Sequence, residues 1–353
     1  MVFALQSIAA ASSSYTGMTV PPGWPWRGVN MTFPEAGPGD VKRYHAKLGI
    51  NVVSLHLEPR RYASQKKVSG EEALQASLEW AEMMLNVCAR LGIQGVLDIS
   101  HFPLDPGLPS DRTAEFWTNK ASIESILDVS RRLARRFRQR GVELGAYQIL
   151  SEPVVVQNGT SREPPGWPIF LRQIIATLRS EDSSRWIVVH PGPWGLPDGY
   201  RRFTAPESNR LIWGAHMYLP HYFTHQGIRQ YPLGPRYPGS IAGKFYDRSA
   251  LAHILEPLRA FQRHQPGPVW IGEFGAIRWA SGSEQYLIDL ARAFDEYGWG
   301  WAYFSATGWH GWNPDYSSAY ADSLVAAERH KVGDSSERWR TLHHIFRAKS
   351  AAK

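Results

Sequence analysis

The sequence predicts an α/β chain folded as a single (β/α)8 (TIM) barrel. Three observations predict it: eight short apolar runs, an amphipathic helical pattern after most of them, and polar residues where the runs end. Strand and helix signals that alternate imply a parallel sheet with helices packed against it. A barrel of roughly 250 residues with long loops accommodates the 353 residues in one domain.

The first run, Trp26–Met31, is followed by a helical pattern at Asp40–Leu48 and a second run at Asn51–Leu57. A long helix from Glu71 to Leu91 leads to a strand at Gln94–Ile99, and a helix over Ile123–Arg140 leads to a fourth strand at Leu144–Leu150. A helix at Ile169–Arg179 precedes strands at Trp186–His190 and Leu211–Met217. The Pro/Gly-rich segment Pro191–Pro206 joins those two strands, so the fifth helix is weak or missing. Beyond the loop Leu219–Tyr246 come a helix at Ser249–Arg263, a strand at Val269–Gly272, a helix at Glu284–Tyr297, the eighth strand at Gly300–Phe304 and a closing helix at Trp339–Arg347. Periodicity does not separate a closed barrel from an open doubly wound sheet. No G-x-G-x-x-G follows the first strand and no G-x-x-x-x-G-K-S/T occurs, which leaves a nucleotide role without support.

Hydrophobic residues make up 43% of the chain and charged residues 20%, which supplies a large core and no basis for disorder. The single Cys88 lies in the run Glu71–Leu91; it excludes an intrachain disulfide and is expected to be a buried thiol. The net charge of +7 would suit nucleic acid or an acidic polysaccharide. Its densest run, Arg131–Arg140, also holds Leu133, Ala134 and Phe137, which continue the stripe Ile123, Ile126, Leu127 at helical spacing. The arginines are therefore expected on a solvated helix face, and no nucleic-acid motif accompanies them. No apolar run is long enough to cross a membrane. Met1–Ser14 is apolar and then Ala/Ser-rich but lacks a basic start. Residues 1–22 thus read as a flexible segment or a degenerate export signal pointing to a secreted or periplasmic protein, with the barrel at 23–349.

In a parallel barrel the active site lies at the C-terminal ends of the strands. The polar residues there are His56 and Glu58 on strand two, Asp98, Ser100 and His101 on strand three, Ser151 and Glu152 on strand four, His216 and Tyr218 on strand six, Glu273 on strand seven and Ser305 on strand eight. Glu152 and Glu273 each end an almost wholly apolar strand and each precede a chain-turning residue. Two carboxylates at one barrel mouth suit glycosidic cleavage: one acid protonates the leaving oxygen and one carboxylate attacks the anomeric carbon. Their pKa values must differ, which burial and a like charge arrange, with His216 and Tyr218 tuning them.

Among 15 Trp, 15 Tyr and 14 Phe, many fall in Gly/Pro-rich stretches. Aromatic faces in loops suit the apolar faces of sugar rings, or else anchor the packing of the loops. His221 and His225 have helical metal-ligand spacing but no third ligand or H-E-x-x-H context, so no metal and no cofactor is expected.

These segments resemble the cellulase-like glycoside hydrolases of family 5, clan A. Val269–Gly275, VWIGEFG, is similar to the seventh-strand nucleophile motif; Leu144–Pro153, LGAYQILSEP, to the fourth-strand acid/base motif; and Trp213–Gly227 to the sixth-strand His-x-Tyr motif. Arg27–Asn30 and Gly49–Val53 fit the first two strands. The resemblance spans roughly Trp26 to Phe346. It implies Glu152 as acid/base, Glu273 as nucleophile, His216 and Tyr218 as their immediate partners, and His101 as a sugar-binding residue. It also marks departures: Ser54 where the family has Arg, Ser100 where it has one of two His, Ser151 where it has Asn before the acid/base, and Phe304 where it has a Trp platform. Trp309 or Trp312 could supply that platform from the last loop, and Tyr222, in the loop after strand six, is a further candidate substrate-binding residue.

The expectation is thus a retaining glycoside hydrolase cleaving β-linked oligo- or polysaccharides as a monomer; endo action is expected, and transfer to a second sugar is open to the same covalent intermediate. A carbohydrate-binding barrel whose altered cleavage site has lost activity stands as the alternative.

Overall fold

The computed structural model describes residues 18–348, and the stretch Met1–Ser14 lies outside them. Eight parallel strands close on themselves: β1 (Arg27–Thr32), β2 (Val52–Leu57), β3 (Gln94–Ile99), β4 (Leu144–Ile149), β5 (Trp186–Val189), β6 (Leu211–Met217), β7 (Val269–Phe274) and β8 (Gly300–Tyr303). Each strand pairs with the next in the chain, and β1 closes on β8 through Arg27↔Trp301 and Gly28↔Ala302. The barrel, rather than the open sheet, is what forms.

The longer helices around the barrel are α1 (Pro38–Leu48), α2 (Gly70–Leu91), α3 (Lys120–Phe137), α4 (Trp167–Glu181), α5 (Arg248–His264), α6 (Ser283–Glu296) and α7 (Glu337–Arg347). Some begin earlier than the apolar stripe suggests, because a capping residue sets the start. Asn119 accepts a hydrogen bond from the Ser122 amide at 3.1 Å, and Ser69 forms a reciprocal box with Glu72. The missing fifth helix is a single 3-10 turn, Pro197–Arg201. Pro197 lacks a backbone donor, and Tyr200 anchors the turn by donating to the Gly214 carbonyl at 2.7 Å. The loop after β6 carries one helical turn, His221–Thr224, and a small hairpin, Gly239–Ile241 with Lys244–Tyr246.

The floor of the barrel is apolar. Trp26 and Trp270, edge to face at 5.7 Å, pack with Val52, Val96, Ala146, Val188 and Ile212 and keep the polar residues of the mouth above a dry layer. A larger core fills the space between strands and helices and includes Cys88, whose thiol burial pushes up to about 12. The arginines of α3 do face outward. Arg135 pairs with Glu181 on α4 at 2.7 Å, while Arg136 and Arg140 pair with Glu82 on α2, so the basic run ties three helices together across their solvated faces. No helix among the described residues is long and apolar enough to cross a membrane.

Candidate active site

Two local irregularities aim the two glutamates. Leu150 follows β4 with φ 54°, a left-handed conformation that costs a side-chain-bearing residue energy and turns Ser151 and Glu152 over the barrel mouth. On β7 the register against β6 slips between Ile271↔Ala215 and Glu273↔His216, so Gly272 is an extra residue in the ladder. Glu273 therefore lies within the strand, not after it, and its side chain faces inward beside His216. Asn30 on β1 holds the bulge in place by donating to the Gly272 carbonyl at 2.9 Å and to Tyr303 at 3.2 Å.

His216 is fully buried between the two carboxyls: Nδ1 lies 3.0 Å from Glu152 Oε1 and Nε2 lies 3.7 Å from Glu273 Oε1. One oxygen from each glutamate and a ring nitrogen of His216 all lie within 4.8 Å of one another. Tyr218 donates to Glu273 Oε2 at 2.8 Å, and His56 Nδ1 stands 4.0 Å from Glu273 Oε1. Burial alone would strip the proton from His216, yet Glu273, Glu152 and Asp98 together outweigh it and lift the imidazole to about 9. Burial likewise favours protonated Glu152, but His216, Arg112 and His101 hold that carboxyl below its ordinary value. Glu273 goes the other way: burial raises it, the Glu152 charge adds to the rise, and His216 and His56 only partly offset them. Arg112 reaches Glu152 from the loop after β3, donating to its backbone carbonyl at 3.1 Å with Nη2 3.8 Å from Oε2.

A raised folded-state pKa makes a signed prediction. The contacts of His216 with the glutamates stabilise the folded protein fully below the ordinary 6.5 and are lost as pH rises through about 9. The His216 ring nitrogens, followed by ¹⁵N NMR, should titrate near that upper value with activity falling alongside; a midpoint near 6.5 would contradict the arrangement.

The other residues singled out from the sequence divide by depth. Ser100 donates to Asp98 Oδ1 at 2.9 Å, and its oxygen lies 3.0 Å from Ser151 Oγ, so a chain of hydroxyls runs from the cleft to a buried carboxylate. With His101, these residues line the hollow in front of Glu152 and Glu273. Ser54 does not join them: it is fully buried beneath His56, 3.3 Å from its Nε2. Phe304 stands edge-on to His56 at 5.9 Å and to Trp312 at 5.7 Å. Trp312 is half-buried against Tyr218 and His225, and Trp309, 5.1 Å beyond it, is 42% exposed. Tyr222 lies elsewhere, stacked edge-on with Tyr231 on the wall of a separate groove. His221 and His225 pack edge to face at 5.2 Å, with His225 Nδ1 2.9 Å from the Thr224 hydroxyl.

Sequence reading listed His56 and Asp98 as strand-end polar residues without a role, and it missed Asn30, Arg112 and His190. His190, at the end of β5, packs edge-on against His216 at 5.0 Å and is held neutral by burial and by that neighbouring cation. Its strand-end position was the available signal; Arg112 offered none.

The model of the cellulase family (glycosyl hydrolase family 5) matches residues 14–309. The chain belongs to glycoside hydrolase family 5. It is accordingly a glycoside hydrolase. Endoglucanase C of Acetivibrio thermocellus is 23% identical over 257 residues, 66% of this chain and 72% of that relative, and Endoglucanase C307 of Clostridium sp. matches to the same extent. Among solved structures, Thermotoga maritima Cel5A in complex with cellobiose shares the fold with a TM-score of 0.66 at 19% identity, over 91% of this chain and 97% of that one. The cellulose synthase subunit Z of Clostridioides difficile does so at 0.66 and 14%, over 91% and 99%.

Proposed function

We propose that this family 5 enzyme cleaves β-linked polysaccharides by double displacement, with Glu273 as nucleophile and Glu152 as acid/base. The observation that carries the reading is the approach of the two carboxylates to within 4.8 Å through their nearer oxygens. Retaining enzymes place the pair about 5 to 5.5 Å apart, whereas inverting enzymes need about 6.5 to 9.5 Å to admit the attacking water. The endoglucanase relatives support a β-glucan-like substrate.

The charges support a route for the proton. Before a sugar binds, the proton belongs on His216, raised to about 9, and not on its hydrogen-bonded partner Glu152, held below its ordinary value. A bound sugar covers the exposed part of Glu152 and removes its water, which disfavours the carboxylate and draws the proton from Nδ1 onto Oε1. Glu152 then protonates the departing oxygen as Glu273 attacks the anomeric carbon, and Tyr218 keeps the attacking carboxylate in line. In the second step Glu152 takes a proton from water, or from a sugar hydroxyl when the glycosyl group is transferred.

The altered residues point to an altered sugar. The Ser151 hydroxyl hydrogen is directed to Ser100, which donates to Asp98, so Ser151 offers the 2-position a lone pair and no N–H. Long aromatic loops on both sides of the mouth support endo action on a chain spanning several subsites.

Early products followed by ¹H NMR should carry the β anomer first and drift to α by mutarotation. An α anomer at the outset would rule out double displacement, and no product from any β-glycan would rule out the hydrolytic reading.

A further inference from the structure

The two sides of the cleft differ in their free charge. On the side of β7 and β8, Arg278 is buried and its guanidinium is consumed by the carbonyls of His310, Ser317 and Ala319. On the side of β4 to β6, two cations are less fully engaged. Arg112 lies 4.5 Å over the ring of Trp194 and uses Nη1 on the Glu152 carbonyl, while Nη2 makes no hydrogen bond to that glutamate's carboxylate at 3.8 Å. Its Nε and Nη2 stand 3.9 Å from Asp111 Oδ1 and 3.8 Å from Glu152 Oε2, ion pairs too long for hydrogen bonds, so the planar fork, stacked on the ring, keeps donors for a further acceptor.

Trp194 begins the β5 loop, whose turn Pro197–Arg201 forms one wall of a groove of about 490 Å³. Tyr222, Tyr231 and Tyr246 supply aromatic walls, and His221 on the same groove packs against His225, which packs at 5.4 Å against Tyr218 beside Glu273. The groove therefore lies next to the cleavage site, one layer of rings away. Arg201 is neutralised by Asp198 at 2.6 Å. Lys244 is not: its described contact is the Tyr246 ring, 5.5 Å away, and its ammonium is exposed.

We propose that this side of the cleft binds an anionic glycan, with Arg112 taking an acidic group on the departing sugar and Lys244 taking another further along the chain. A carboxylate on Arg112 Nη2 makes the charge-assisted hydrogen bond that neither Glu152 nor Asp111 makes with it. It also competes with Glu152 for Arg112, which frees the acid to hold its proton. The inference rests on the proposed cleavage at Glu152 and Glu273, but its test does not require turnover.

The probes are a tetramer of β-1,4-linked glucuronic acid and cellotetraose, which differ only at C6. Binding to Glu273→Gln enzyme is measured by calorimetry at low and high salt. The acidic tetramer should bind about tenfold more tightly at low salt, with the advantage shrinking toward parity as salt screens it. Adding Lys244→Gln should remove about threefold of that advantage, and Arg112→Gln most of the remainder. Lys244 is exposed and packs against one ring, so its variant guards against a folding defect at Arg112. Equal binding of the two tetramers, or an acidic preference that neither substitution changes, overturns the proposal. An acidic preference in a wild-type protein that hydrolyses nothing would sink the hydrolytic reading alone; hydrolysis of cellotetraose without acidic preference would sink this one alone.

Discussion

Glu273→Gln is expected to lower kcat on a β-glycan by about 10⁵-fold, equivalent to about 7 kcal/mol of transition-state stabilisation, with KM within a few fold of wild type. Glutamine keeps the shape and can still accept the Tyr218 hydrogen bond, so the loss isolates nucleophilicity from packing. No neighbour is placed to substitute. Asp98 is buried and committed to Ser100 and Gln148, and Glu58 is held by Arg61. The substitution also removes the largest charge raising His216, so the alkaline limb of residual activity should move to lower pH. Residual activity above about one per cent would mean a different nucleophile. In Glu273→Gly, azide should restore turnover by attacking from the vacated side, giving the α-glycosyl azide from a β-linked substrate.

The barrel was legible because its signal is repeated. Each strand is a short apolar run bounded by turn residues, and the polar residue that ends it is forced to the one rim where loops can hold chemistry. That repetition located Glu152, His216, Tyr218 and Glu273. Depth was not legible. Ser54 and His56 are two residues apart on β2 and so share its inward face, yet two residues of strand rise about 7 Å. That step puts His56 beside Glu273 and Ser54 under it.

Irregularities were equally hidden. The strand reading stopped at Gly272 because a glycine beside a charged residue looks like an end, whereas here it is the bulge that turns Glu273 inward. Arg112 sits in a stretch between β3 and α3 with no periodicity, and only the folded loop brings its guanidinium to Glu152. The basic run in α3 shows the opposite case. Its helical spacing alone placed the arginines outside, where their ion pairs now account for much of what looked like a polyanion signal.

Glu152→Ala separates the two duties of that residue. On a natural glycan, kcat should fall by about 10³- to 10⁴-fold, because a sugar alkoxide leaves poorly without a proton. On a dinitrophenyl glycoside, whose leaving group needs no protonation, formation of the glycosyl-enzyme should stay fast while its hydrolysis slows, since no base activates water. The covalent species should then accumulate, giving a burst of phenol equal to the enzyme concentration and a depressed KM. Azide, which needs no base, should clear the intermediate and give the β-glycosyl azide, the opposite configuration from the Glu273→Gly rescue. His216 would lose its hydrogen-bonded partner in this variant and retain only the Glu273 and Asp98 charges, so its titration should fall below about 9. An equal loss on both substrates would mean that Glu152 positions the sugar and does not transfer the proton. The paired azide products make the assignment of the two glutamates independent of either rate alone.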